Sequence, residues 1–265
     1  AKVVRENLKL LKDCFISVAA SGSRYPTISM LDFGRFLHNL KLTDEHLNTG
    51  AVDNIFIASC NLYAQGQNSL HDKLRASQDD LNPDRALVRY QFLEAVVRCA
   101  RAKFWHSATP PEERNLASAT SKMVQHIEAH KSAVLYPAQA FREEQLWNHE
   151  IAGLLKKYES QLRDLVSFYA DRAHHDTTAR VLTLGDLVQL FTVDSSLKLR
   201  EKDVVFLQAH SKLTNPDEMN PRSALGYNRF RFVEFLDLLG AVAEFNFRGS
   251  ELAGLSMSEK LWFTM

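Results

Sequence analysis

His126 and His130 stand one helical turn apart in the string His126-Ile127-Glu128-Ala129-His130, and of all the residues here they come nearest to catalytic spacing. Two imidazoles at i and i+4 on a helix can hold zinc, and a protease of that kind carries its Glu directly after the first His. Here the Glu comes one place too late and no third ligand is spaced to join them, so both are expected to be surface histidines. His174-His175-Asp176 is read as a solvated polar loop rather than a metal site. Asp13 and Asp164 are expected on exposed helix faces. The chain has no glycine-rich phosphate loop, no Gly-x-Ser-x-Gly, no Cys-His pair with an orienting acid and no zinc-type Cys spacing. It is therefore read as a non-enzyme that needs no cofactor. Cys14, Cys60 and Cys99 are an odd number without motif spacing, in apolar helical surroundings. They are expected to be reduced core thiols of an intracellular protein.

Two stretches could instead do binding chemistry. Lys2, Arg5, Lys9 and Lys12 fall on one face of the first helix. Such a face is explained by solvation alone, or it steers the chain toward an acidic surface. After the breaker Gly249-Ser250, the residues Leu252, Leu255, Met257, Leu261, Trp262 and Phe263 make an apolar tail. A tail of this kind either packs on its own lobe or inserts into a groove of a partner.

The elements that must carry these residues are helical. Leu8, Leu11, Phe15 and Val18 recur at helix spacing up to a breaker at Ser21-Gly22-Ser23. A short extended Tyr25-Pro26-Thr27-Ile28 leads to a second helix with Met30, Phe33, Phe36, Leu37 and Leu40 on one face. Val52, Ile55, Phe56, Ser59, Cys60 and Tyr63 continue a third helix, and residues 65–86 read as a long polar surface loop. A fourth helix is expected from about Tyr90 to Phe104. Thr109-Pro110-Pro111-Glu112-Glu113 reads as the start of a connecting helix. From Phe141 to Tyr169 the spacing predicts one long helix. Apolar content is 45% and charged content 24%, as in ordinary globular chains, with Lys+Arg and Asp+Glu both at 32. That balance argues against a broad nucleic-acid or lipid footprint, and no apolar run is long enough to span a membrane. No signal peptide is visible, and the chain opens on Ala1 rather than Met, as a piece of a longer product would.

The second half repeats the first. Arg163-Asp164-Leu165-Val166 matches Lys12-Asp13-Cys14-Phe15, and the stretch from Val181 to Leu187 matches that from Thr27 to Phe33. Lys202-Asp203-Val204-Val205-Phe206 matches Val52-Asp53-Asn54-Ile55-Phe56, and Tyr227 to Phe235 matches Leu87 to Ala95. Four correspondences in one order mark an internal duplication.

Helix-loop-helix units with an aliphatic loop residue and an acid opening the exit helix resemble paired EF-hands, a calmodulin-like arrangement. The resemblance makes Ile28, Leu87, Leu182 and Tyr227 the residues that bridge paired loops. It puts Asp32, Gln91, Asp186 and Arg231 at the last loop position, and Phe33, Phe92, Leu187 and Phe232 at the start of each core face. Calcium needs several hard oxygens, a Gly at the sharp turn and a bidentate Glu at the end. Most loops depart from that. The first offers Ser21, Ser23 and Tyr25, the third His175, Thr177 and Ala179, and the fourth Asn220, Arg222 and Ala224. Only the second begins correctly, with Asp80, Asn82 and Asp84, but Arg85 replaces the Gly, Gln91 the Glu, and Pro83 stiffens the turn. It is read as a solvated acidic turn, with weak calcium or magnesium binding as the alternative. Phe33-Gly34-Arg35-Phe36-Leu37, Lys41-Leu42-Thr43, Val52-Asp53-Asn54-Ile55-Phe56 and Phe92-Leu93-Glu94-Ala95-Val96 further resemble the tubulin polymerization-promoting (p25-alpha) family. Similar degenerate modules recur in ciliary and flagellar proteins, though the family's basic tubulin-contacting tail is not evident here.

The expectation is an all-α protein of two degenerate EF-hand-pair lobes joined by long helices. The first lobe is 1–108, the connecting helices 109–160, the second lobe 161–247 and the tail 248–265. With metal gating lost, each lobe's hydrophobic groove must stay filled, by the chain's own helices or by a partner helix. The resemblance implies a constitutive structural adaptor of the microtubule cytoskeleton, cytoplasmic and axonemal, in a larger assembly with tubulin or other axonemal proteins and without nucleic acid or membrane. A calcium-responsive module that binds target helices is the alternative. The residues expected to touch partners are Lys2, Arg5, Lys9 and Lys12, the polar loop, and Leu261, Trp262 and Phe263.

Overall fold

The computed structural model describes residues 2–60, 86–106, 109–173 (backbone only for 171–173), 181–214, 216, 223 and 225–265. Several expectations fall outside these residues: those on Asp80, Asn82 and Asp84, on most of the polar loop at 65–86, on His174-His175-Asp176, and on the ligand positions of the third and fourth loops. The described chain is mostly helical, and its strands are two residues each. It forms two compact units, Ala1–Tyr136 and Pro137–Met265. The segment expected to connect the lobes, 109–160, is shared between the units, and the tail at 248–265 belongs to the second.

In the first unit, α1 (Lys2–Glu6) and α2 (Leu8–Ser21) are separated at Asn7, whose side-chain amide donates to the carbonyl of Val3 at 2.8 Å. α2 buries Leu11, Cys14, Phe15 and Val18 on one stripe. β1 (Ile28–Ser29) leads into α3 (Met30–Asn39), which buries Phe33, Phe36 and Leu37. α4 (Thr49–Cys60) starts where Asn48 accepts the N–H of Ala51 at 3.0 Å. β2 (Ala86–Leu87) then opens α5 (Arg89–Phe104). β1 and β2 pair antiparallel, Ile28 opposite Leu87 and Ser29 opposite Ala86. Around that bridge Phe15, Phe33, Phe36, Phe56 and Phe92 meet at ring centroids of 5.5 to 6.3 Å, in the range where edge-on aromatic contacts add to burial.

A further helix, α6 (Leu116–His130), packs on α5 and adds Met123 and Ile127 to this core. It begins later than expected. Thr109 donates to the carbonyl of Phe104, at 2.9 Å, and so finishes α5, while Asn115 caps α6 by accepting the N–H of Ser118 at 2.8 Å. The two histidines of α6 are half-buried rather than on the surface. His126 donates from Nε2 to the carbonyl of Leu40, at 2.6 Å, and His130 from Nδ1 to the carbonyl of His126, at 3.0 Å, with the rings stacked at 4.3 Å. His126 holds α6 to the end of α3, and His130 stacks on it from within α6.

The second unit opens with α7 (Ala138–Phe141), which widens into a π-turn at Arg142–Leu146. Asn148 then caps α8 (His149–Lys157) by accepting the N–H of Ile151 at 2.9 Å, and α9 (Glu159–Ala173) follows. The single long helix expected from Phe141 to Tyr169 is thus broken. The Asn148 side chain offers the backbone a helix start that competes with continuation. β3 (Leu182–Thr183) leads into α10 (Leu184–Val188), a second π-turn at Gln189–Asp194, and α11 (Glu201–Ser211). β4 (Arg229–Phe230) opens α12 (Phe232–Phe247), and α13 (Met257–Thr264) closes the unit. Leu182, Leu187, Phe191, Val204, Leu207, Phe230, Phe235, Leu238 and Val242 form the core, joined by Leu146, Ile151 and Leu261.

The bridge in this unit corrects the register expected for the last repeat. Leu182 lies opposite Phe230, and Thr183 opposite Arg229, so Tyr227 is not the bridging residue. Tyr227 sits instead in a 3-10 turn, Leu225–Asn228, its carbonyl accepting from Gln208 at 2.8 Å. The last loop position moves by three residues, from Arg231 to Glu234, and the core position from Phe232 to Phe235.

Cys14 and Cys99 are fully buried, and burial pushes both thiols up to about 12, with the nearby Asp13 and Glu128 charges adding at Cys14. Cys60 is half-buried. A thiol-alkylation time course on the native chain is therefore expected to modify Cys60 first and to reach Cys14 and Cys99 only after unfolding. Rapid native labelling of Cys99 would contradict this packing.

Candidate functional site

The positions that would hold a metal under the EF-hand resemblance are the place to look for chemistry. With the register corrected, the last loop positions are Asp32, Gln91, Asp186 and Glu234, and each side chain is engaged by protein. Asp32 accepts from the hydroxyl of Ser29 at 2.5 Å. Asp186 accepts both the N–H and the hydroxyl of Thr183, at 2.7 Å each. Both belong to helix caps: the hydroxyls of Ser29 and Thr183 accept the N–H of Asp32 and Asp186, and Asp186 in return satisfies the N–H of Thr183 that the first turn leaves unpaired.

Gln91 and Glu234 do more, because they tie the exit helix back to the end of the entering helix. Gln91 is fully buried; its Oε1 accepts the N–H of Val88 at 3.0 Å and its Nε2 donates to the carbonyl of Cys60 at 3.1 Å. Glu234 is 1% exposed. Its Oε1 accepts the N–H of Leu213 and of Thr214 at 3.0 Å each, and the Thr214 hydroxyl at 2.9 Å. Its Oε2 accepts the N–H of Arg231 at 3.0 Å and the ammonium of Lys212 at 3.1 Å. Burial by itself would raise the Glu234 carboxyl. The N–H of Arg231, the ammonium of Lys212 and the Thr214 hydroxyl outweigh it and hold the group below the usual carboxylate range.

Calcium is the ion that the resemblance implies, and these positions do not fit it. It asks for six to eight oxygens, including a bidentate carboxylate. Gln91 has one oxygen and it accepts a backbone N–H, while both oxygens of Glu234 accept protein donors. Among the described residues no group of three or more His, Cys, Asp or Glu could hold a metal.

The residues expected to touch partners are distributed unevenly. Lys2, Arg5 and Lys9 are exposed and Lys12 is half-buried, with Lys2 weakly paired to Glu6 at 3.9 Å. Asp164 is exposed and Asp13 half-buried. The tail packs on its own unit, along α12 and α8. Lys260 is buried against Glu244 at 2.9 Å, and Leu261 is wholly inside the core, so it serves the fold rather than a contact face. Trp262 and Phe263 remain 54% and 57% exposed, with their rings 5.0 Å apart.

Three bonded side chains of the second unit, Arg142, Trp147 and Asp237, carried no pattern in the sequence. Arg142 donates from Nε to Asp237 at 2.6 Å and from Nη2 to the carbonyl of His210, and Trp147 donates to the other oxygen of Asp237 at 3.1 Å. Nothing at these spacings marks a partner; only an Arg and an Asp on otherwise apolar helix faces hint at a buried pair. No described helix is long and apolar enough to cross a membrane. Comparison with family models, curated proteins and solved structures found no match to this chain.

Proposed function

We propose that this chain is a non-enzymatic structural adaptor of the microtubule cytoskeleton, axonemal in a cilium or flagellum, built from two EF-hand-pair lobes that work without calcium. The observation that carries the reading is the engagement of Gln91 and Glu234 by protein donors and acceptors, where a calcium switch would keep a carboxylate available for the ion. A lobe whose loops are closed by its own bonds has no metal-dependent open state. Each unit also fills its apolar face from its own chain, Met123 and Ile127 in the first, Leu146, Ile151 and Leu261 in the second. That favours constitutive contacts over capture of a target helix. The exposed cations Lys2, Arg5 and Lys9 suit an acidic partner such as the tubulin tails, and Trp262 with Phe263 supply an apolar anchor.

The test is co-sedimentation with microtubules, joined to localisation in ciliated cells. Binding is expected to be equal in calcium and in chelator, and to fall about tenfold when Lys2, Arg5 and Lys9 are reversed to Glu. A protein that neither pellets nor localises to axonemes fails this reading. A saturable shift in tryptophan fluorescence at micromolar calcium would favour the regulatory module instead.

A further inference from the structure

Lys212 follows α11 directly, and its side chain is 5% exposed. Its ammonium has three donors, and three acceptors surround it: Oε2 of Glu234 at 3.1 Å, the carbonyl oxygen of Arg229, and the ring face of Phe230 with its centroid 4.6 Å away. In a loop of about 12 residues ending at Glu234, Arg229 is the position whose backbone carbonyl would ligate a metal and Glu234 the position that would clamp it. The ammonium thus lies between the two groups that an ion would bridge.

The first unit has the same arrangement with the charge removed. Ala86 precedes the bridging Leu87 as Arg229 precedes Phe230. The thiol of Cys60 donates to the carbonyl of Ala86 at 3.6 Å, as Lys212 does to that of Arg229. Ser59-Cys60 and Ser211-Lys212 take the same place at the end of the entering helix, two residues on from the string match of Val52–Phe56 with Lys202–Phe206, since Val204 rather than Lys202 is buried as Val52 is and both serines are buried. Neutral Gln91 goes with a neutral thiol, and the carboxylate of Glu234 goes with an ammonium.

We infer that Lys212 is a tethered cation: its ammonium holds the metal place of this loop, and the pocket formed by Glu234, the Arg229 carbonyl and the Phe230 ring is a site for a primary ammonium ion. Calcium cannot replace it, because Oε1 of Glu234 already accepts from Leu213 and Thr214 and too few oxygens remain. An alkylammonium brings the same three N–H donors that Lys212 brings.

Chemical rescue of the full chain, read by thermal unfolding, tests this. Lys212→Ala is expected to lower the second unit's transition by about 8 °C. Ethylammonium chloride at tens of millimolar should restore at least half of that shift. Tetramethylammonium chloride, which has no N–H, should restore none of it, and neither salt should move the wild type. Equal effects of the two salts on Lys212→Ala overturn the inference. Should Lys212→Ala not fold, the coupling to Glu234 decides: Lys212→Met is expected to cost far less in a Glu234→Gln background than in the wild type, and an equal cost in both overturns the inference. The inference rests on the paired-loop reading above, yet the two fail separately. A saturable micromolar calcium response of the wild type sinks that reading. An unresponsive wild type with an unrescued Lys212→Ala sinks only the tethered cation.

Discussion

Asp237→Ala is expected to destabilise the second unit by about 3–5 kcal/mol, the range for leaving one member of a buried ion pair without its partner. Arg142 and Asp237 are each 8% exposed in their side chains and meet at 2.6 Å. Removing the carboxylate leaves a guanidinium that cannot lose its proton, in a site with little water. Its remaining partners are neutral: the carbonyl of His210 and, at 3.5 Å, the amide oxygen of Gln139. The His210 imidazole cannot assist. Burial, and then the charge of Arg142, hold it down to about 3, so it is neutral throughout the working range. Trp147 loses its acceptor in the same step. Asp237→Asn keeps an oxygen for one of the two donors, so it should fall between, at about 1–3 kcal/mol. Urea unfolding followed through tryptophan fluorescence would read both variants. A loss below about 1 kcal/mol for Asp237→Ala would mean that the pair is not buried as described.

That ion pair also shows how far the sequence could be read. Helical class, the bridging roles of Ile28, Leu87 and Leu182, and the core positions Phe33, Phe92 and Leu187 were legible, because apolar spacing repeats along the chain and each of these bridges is followed four residues later by Asp32, Gln91 or Asp186 and then by the core residue. The fourth loop was misread because aromatic residues at 227, 230, 232 and 235 let the string match slide. The acid settles the register: of the candidate bridges there, Phe230 has an acid four residues later, as Ile28 and Leu182 have. The breaks at Arg142–Leu146 and Asn148 left only a weak trace: Phe141 to Leu146 and Leu146 to Ile151 are steps of five, while Ile151, Leu154, Leu155 and Tyr158 return to steps of three and four and make the whole stretch read as helix. A π-turn takes one more residue than an α-turn, so side chains on one face across it are spaced by five rather than four. It is this turn that carries Arg142, which meets Asp237 on α12. Leu146, at the end of the turn, lies where a side chain on Gly240 would have to go. The tail was legible as apolar, but whether it covers its own unit depends on pairs such as Lys260 with Glu244. No spacing rule announces those.

Glu234 is expected to contribute to the acid dependence of the second unit. A carboxyl held below its ordinary value in the folded state contributes stability that is fully present above that value, 4.5, and is lost as pH falls through the lower, folded value. Wild-type stability in this unit is therefore expected to be level near neutrality and to decline below about pH 4.5. Glu234→Ala is expected to lose about 3–5 kcal/mol at pH 7, because the ammonium of Lys212 stays buried and the N–H groups of Leu213, Thr214 and Arg231 lose their acceptor. The gap between the two proteins should then shrink as pH falls, since protonation takes from the wild type part of what the substitution has already removed. Urea unfolding from pH 7 to pH 3 measures this, and a gap that stays constant would show that Glu234 is not the group responsible. The first unit provides an internal control. Gln91 closes the equivalent loop with an amide that does not titrate, so Gln91→Ala should shift that unit's stability by the same amount at every pH in the series.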